Sequence, residues 1–400
     1  MTQISSALQL SNPSRRLGGF AIGVLTLAAA VATSTSYVLQ PVLPTVADDI
    51  DSSLSVVGVV AGLPIAGYFL GLVLLVPLAD RSRSNRLIAS HLAVLGGALA
   101  LAAVASGPVM LGLGLFVSGL CASTGAQMTS LVGRYTDVSR RGRAVGTVTA
   151  GISAGIVLGR IVGGALAEWV GWRMMLADFA VVSVLLGVGA LTTLPRDSLT
   201  PSKGYANVVA SLPRLAWTNR ALRLSAVSGA LWFFSFSLVW VGLSLALARP
   251  PHSLSPGTIG LYSLAGLLGV LATRISGRLA DRVGSARVVL SGLLLAGACS
   301  LVMGFSLETT PLLLVSLALF DAGLFAAQVA NQSRVLSLDP TRPAQFNSAY
   351  MAVYFVGGTA GAALGGVLMS LIGWTGVTVA GAVAIGAALL VTIATRTTDK

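Results

Sequence analysis

Two ionisable residues stand where an apolar chain should have none. Asp321 lies about ten residues into an apolar run, within Phe320-Asp321-Ala322-Gly323, and Arg160 lies towards the far end of another. A charge at the centre of a membrane helix costs about 2.5–3.5 kcal/mol on insertion scales, so each must face a cavity or a partner. Three chemistries fit. The two residues could form a structural ion pair. Asp321 could carry a proton, because burial favours a neutral carboxyl and a nearby guanidinium favours the ionised one. Arg160 could instead hold an anionic substrate. Bond chemistry is not supported. His91 and His252 lie in different segments, Cys121 and Cys299 lie inside apolar runs, and no acid, base and nucleophile are grouped. These counts speak against an enzyme, a disulfide framework and a metal site. There is no Gly-x4-Gly-Lys-Ser/Thr loop for a nucleotide.

Two other patterns recur along the chain. Leu78-Ala79-Asp80-Arg81 and Leu279-Ala280-Asp281-Arg282 each close an apolar run. Such a carboxylate can meet a neighbouring helix N-terminus, and the arginine a carboxylate or carbonyl; a solvated turn has the same composition. Gly151, Gly155, Gly159 and Gly163 form a ladder, and Gly357, Gly361 and Gly365 form another. Spacing of four places each set on one helical face, where backbones can approach. Static packing and a smooth sliding face are both open readings.

The elements that must position these residues follow from composition. The 400 residues are 55% hydrophobic and only 10% charged, with 47 glycines and a mean hydropathy of +0.87. A soluble domain is about 25% charged, so the chain is an integral membrane protein. A hydrocarbon core needs about 20 apolar residues per helix. That ruler gives spans near Leu17–Gln40, Leu54–Leu78, Leu87–Ser106, Val109–Val132, Val145–Ala167 and Met174–Leu194. A second set lies near Leu224–Ala248, Thr258–Ser276, Val288–Ser306, Pro311–Ser333, Ser348–Ser370 and Thr375–Thr395. The polar interval Pro195–Arg223 separates six from six, with room for a surface helix around Tyr205–Trp217.

The net charge of +12 reflects topology rather than nucleic-acid binding. With the N-terminus inside, every one of the 25 Lys and Arg residues falls in an inside loop or tail except Arg173 and Arg249 outside and Arg160 within a span. Asp48, Asp49, Asp51, Glu168 and Glu308 fall outside. This asymmetry predicts both termini in the cytoplasm. Ala30-Val31-Ala32 resembles a signal cleavage site, but its apolar stretch is too long for an ordinary signal core, so an uncleaved anchor is expected. Scarce lysine with abundant arginine, alanine and glycine suggests a GC-rich bacterial genome.

The halves repeat at an offset near 201–202. Leu78–Arg81 corresponds to Leu279–Arg282, Gly155, Gly159 and Gly163 to Gly357, Gly361 and Gly365, and Gly171-Trp172 to Gly373-Trp374. Parallel six-helix repeats are the mark of a transporter with its site between halves. Over nearly its whole length the chain resembles the major facilitator superfamily. Gly277-Arg278-Leu279-Ala280-Asp281-Arg282-Val283-Gly284 is similar to that family's loop signature; in the first-half copy Val76 and Arg83 replace the glycines. The fifth-span ladder resembles the signature of drug:proton antiporters, with Arg160 in place of its proline, and Leu115 stands where the family often has an arginine.

The resemblance implies an all-α membrane protein of twelve transmembrane helices in two pseudo-symmetric six-helix bundles. The first bundle would be 1–194, the cytoplasmic linker 195–223 and the second bundle 224–400. It also implies a cytoplasmic gate at Asp80, Arg81, Gly277, Asp281, Arg282 and Gly284, and a cavity lined by the first, fourth, seventh and tenth helices. Tyr37 and Gln40, Gln127, Trp232, Phe236 and Trp240, and Phe325 and Gln328 supply aromatic and amide faces there. That mixture suits an amphipathic organic molecule. The expectation is a monomeric inner-membrane secondary transporter, with a proton at Asp321 and Arg160 as coupling ion and no cofactor. Its partners are the bilayer and a small-molecule substrate, with no nucleic acid. Proton-coupled efflux is the leading reading; uptake by symport is the alternative, and a non-transporting sensor is a different class.

Overall fold

The computed structural model describes residues 17–76, 83–194, 214–339 and 342–396, and every regular element among them is helical. Among the described residues ten helices are long and apolar enough to cross a membrane. The last, Pro343–Arg396, is broken at Gly373 (φ 67°, ψ −172°), a backbone region essentially confined to glycine, and therefore counts as two spans. The short apolar helix Gly19–Ser34 continues through turns into a 3-10 turn at Gln40–Val42. Together these make the twelve spans expected. The seventh begins at Arg220, inside the interval read as a connector. Most of that connector, with Asp80 and Arg81, lies outside the described residues.

The first span leaves the α-helical path for a local reason. Ser34 Oγ donates to the Ala30 carbonyl (2.8 Å) and to that of Gly155 (3.0 Å), and Thr35 Oγ1 donates to Ala32 (2.8 Å). Hydroxyls that bond the backbone compete with the helical ladder. Pro41 and Pro44 follow, and neither can donate to it. The loosened stretch brings Ser36, Tyr37 and Gln40 into the protein interior.

The repeat is visible in backbone conformation. Gly171 (φ 83°) and Gly373 (φ 67°) close equivalent hairpins. The next residue in each is a buried tryptophan: Trp172 Nε1 donates to Asp49 Oδ2 (3.1 Å), and Trp374 Nε1 donates to the Met303 carbonyl (2.7 Å).

Both glycine ladders pack inside their own half. A Cβ at Gly151, Gly159 or Gly163 would fall 2.8, 2.8 or 2.6 Å from the carbonyls of Thr26, Ser34 and Val38, and one at Gly155 would meet that of Ala30. These all belong to the first span or its extension. Gly357 and Gly361 stand against the carbonyls of Ala230 and Phe234 in the seventh span, and Gly365 against Val241. The ladder faces therefore fix helix pairs within a half rather than forming the surface between halves.

Other glycines make the contact between halves. A Cβ at Gly58 would lie 2.8 Å from Gly366 Cα, and one at Gly62 would lie 2.9 Å from the Thr359 carbonyl. Gly164 stands against the Pro256 carbonyl. Gly257 N donates to Glu168 Oε2 (2.9 Å), and the hydroxyls of Ser55 and Ser370 are 3.2 Å apart. These contacts seal the end of the bundle that carries the acidic loops.

Candidate functional site

Six spans surround a central cavity of about 130 Å³. Its wall comprises Thr33, Ser36 and Tyr37 of the first span, Ile65 and Tyr68 of the second, Ile152 and Ile156 of the fifth, Trp232, Phe233 and Phe236 of the seventh, Phe325 of the tenth, and Tyr354 and Phe355 of the eleventh. Eight of these thirteen are aromatic, and none carries a charge at neutral pH. Phe233 and Tyr354 stack at 4.3 Å and 5°, Phe325 meets Phe236 edge-on at 5.8 Å, and Tyr68 meets Phe355 across the halves at 5.1 Å.

A polar layer lies one helical turn beyond this wall, towards the sealed end. Gln40 follows Tyr37 by three residues; Arg160 follows Ile156 and Trp240 follows Phe236 by four. Asp321 precedes Phe325 by four in a span running the other way. In a helix such spacings keep Arg160, Trp240 and Asp321 on the cavity-facing side, and Gln40 reaches the layer from the turns that extend the first span. Arg160 Nε donates to Gln40 Oε1 (2.6 Å). Its Cζ lies 4.0 Å from the Trp240 ring centroid, 5.0 Å from that of Tyr37 and 5.6 Å from that of Phe236, within the range of cation–π attraction. Trp240 Nε1 donates to Asp321 Oδ1 (3.2 Å). Arg160 is 2% exposed and Asp321 1%, yet no ion pair joins them among the described residues. The Trp240 indole touches both.

The eighth span makes room for this layer. It passes through a 3-10 turn at Tyr262–Ala265. A Cβ at Gly260 would lie 2.5 Å from the Arg160 carbonyl, one at Gly266 3.0 Å from Asp321 Oδ2, and one at Gly269 3.2 Å from Asp321 Cβ. Side chains at these positions would push the eighth span away from both charges.

Tyr37, Trp232, Phe236 and Phe325 line the cavity, whereas Gln40 and Trp240 belong to the polar layer. The fourth span, expected at the wall, supplies no lining residue. Its Gln127 is satisfied inside the first half: Nε2 donates to the Leu75 carbonyl (2.6 Å), and Oε1 accepts from Thr124 Oγ1 and His91 Nδ1, each at 3.1 Å. These bonds tie the amide to partners within the first half. Gln328 accepts from the Tyr350 hydroxyl (2.5 Å) and is likewise off the wall. Asp281 and Arg282 are exposed at the end of the eighth span, where Gly284 (φ 89°) turns the chain, and a Cβ added at Gly277 would meet no neighbouring element within 4 Å. The sequence reading missed Tyr68, Phe233, Tyr354 and Phe355. The offset repeat could have flagged Tyr354 and Phe355, which share the eleventh span with a glycine ladder.

A model of the Major Facilitator Superfamily matches residues 25–341 and 225–400. The chain belongs to the major facilitator superfamily. Over 376 residues it is 31% identical to the uncharacterized transporter YgaY of Escherichia coli O157:H7, covering 93% of this chain and 95% of that one. It is 31% identical over 375 residues to the probable transporter SCO4007 of Streptomyces coelicolor, covering 92% and 86%. Among solved structures, a bacterial homolog of the human lysosomal transporter Spinster, in an inward-facing and occupied conformation, superimposes with a TM-score of 0.80 at 16% identity, covering 94% of this chain and 96% of that one. The chain is thus a multi-pass membrane transporter of bacterial type and not an enzyme.

Proposed function

We propose that this superfamily member is a secondary active exporter of small amphipathic organic molecules, driven by inward proton flow through Asp321. It would work as a monomer in the inner membrane with both termini cytoplasmic. The observation that carries this reading is the uncharged aromatic cavity between the halves, capped by a layer containing a buried carboxyl that is not ion-paired. An aromatic wall suits an apolar body, and a carboxyl removed from water can exchange a proton as access changes sides. The seal at the acidic-loop end supports a conformer closed to the outside. Arg and Lys placement supports the orientation.

Tolerance of overexpressing cells towards a panel of toxic amphipaths would supply a substrate. In inside-out vesicles an acid interior should drive accumulation of that compound, and Asp321→Asn should abolish the gradient-driven part. Accumulation confined to right-side-out vesicles with acid outside would instead establish uptake by symport.

A further inference from the structure

We infer that the substrate is a monoanion, an apolar or aromatic carboxylate whose head group is received by Arg160. This rests on the transport reading above and specifies its substrate class. The wall of the cavity is uncharged, so the polar layer is the first place a bound molecule meets charge. In that layer Arg160 is under-partnered. It is 2% exposed and gives Nε to Gln40, yet its buried Nη2 meets no hydrogen-bond acceptor. Asp321 does not fill this vacancy: no ion pair joins the two, and its Oδ1 accepts from the Trp240 indole whose ring lies against the guanidinium.

Leaving a buried charged donor unmatched is among the costlier things a fold can do. The rings of Tyr37, Phe236 and Trp240 offset part of that cost but accept no hydrogen bond in the guanidinium plane. A carboxylate would supply both the countercharge and the missing acceptor. The route is short, since Tyr37 and Phe236 belong at once to the cavity wall and to the shell around Arg160. An ammonium compound would meet the same guanidinium as a repulsion.

The test uses the full-length protein in lipid nanodiscs and three compounds of one shape: 2-naphthoate, 2-naphthamide and (2-naphthyl)methylammonium. Dissociation constants are measured calorimetrically for the unmodified protein, Arg160→Gln and Arg160→Lys, with melting temperatures recorded for each. Naphthoate should bind about tenfold to a hundredfold more tightly than the amide, the range of one charge-assisted hydrogen bond, and the ammonium should bind most weakly. Arg160→Gln should remove the preference and Arg160→Lys should keep part of it. Amide binding equal to or tighter than carboxylate binding overturns the anionic assignment while leaving the transport reading intact, because the amide still reports a ligand in the cavity. A carboxylate preference that survives in folded Arg160→Gln overturns the role of Arg160. Should Arg160→Gln fail to fold, the comparison of three compounds on the unmodified protein decides the substrate class. Binding of none of them overturns the inference together with the reading of this cavity as the substrate site.

Discussion

Replacing Gly58 by alanine should open the sealed end of the transporter. The added Cβ would fall 2.8 Å from the Cα and N of Gly366, backbone atoms of the opposite half that cannot rotate away. Overpacking of this kind costs about 1–3 kcal/mol. The cost exists only while the halves touch there; the gain in helix propensity from glycine to alanine acts on both conformers and cancels. The equilibrium between closed and open should therefore shift by about 5- to 150-fold. Ser36, in the cavity wall, provides the reporter as Ser36→Cys, with the buried Cys121 and Cys299 replaced by alanine. While the closed conformer dominates, a membrane-impermeant maleimide applied from the acidic-loop side reacts in proportion to the open fraction, so its rate should rise by that same factor. An unchanged or slower rate, in protein of unaltered melting temperature, would refute the claim that this glycine contact is the seal.

Further outcomes follow from the same geometry. Asp281→Asn, tested alone and with Asp80→Asn, should lower transport at matched membrane abundance; undiminished transport would reduce the motif to a solvated turn. Gly155→Leu should lower the melting temperature and yield of the whole protein, because its side chain meets the Ala30 carbonyl. Gly277→Ala, with nothing within 4 Å, should raise stability by about 0.5–1 kcal/mol through helix propensity, so any loss of transport there reports function rather than folding. Trp240→Ala removes the N–H donated to Asp321 and the ring against Arg160 and should lower transport at matched membrane abundance; undiminished transport in folded protein would count against a role for the indole in this layer.

What the sequence made legible depended on how local each signal was. The spans could be read because burial in lipid imposes a hydropathy period on every helix separately. Gly171-Trp172 and Gly373-Trp374 could be read as hairpin ends because one residue's φ decides the turn. Asp321 and Arg160 could be singled out because charge is rare at that depth. Their relation could not, since it depends on Trp240 from a third span and on glycines of a fourth that let the chain approach. The destination of the ladders was equally hidden: a glycine face announces close approach but does not name its partner, and Gly163 and Gly164 turn to opposite neighbours. Gln127 has the composition of a ligand contact, and only its bonds to His91 and Leu75 reveal it as internal glue.

The most direct test of the account is a proton count. A transported substrate added to purified protein in weakly buffered solution should change the number of protons bound by the unmodified transporter. Asp321→Asn should bind the same compound with no change in bound protons. An equal proton change in both would contradict the assignment of the driving proton to Asp321.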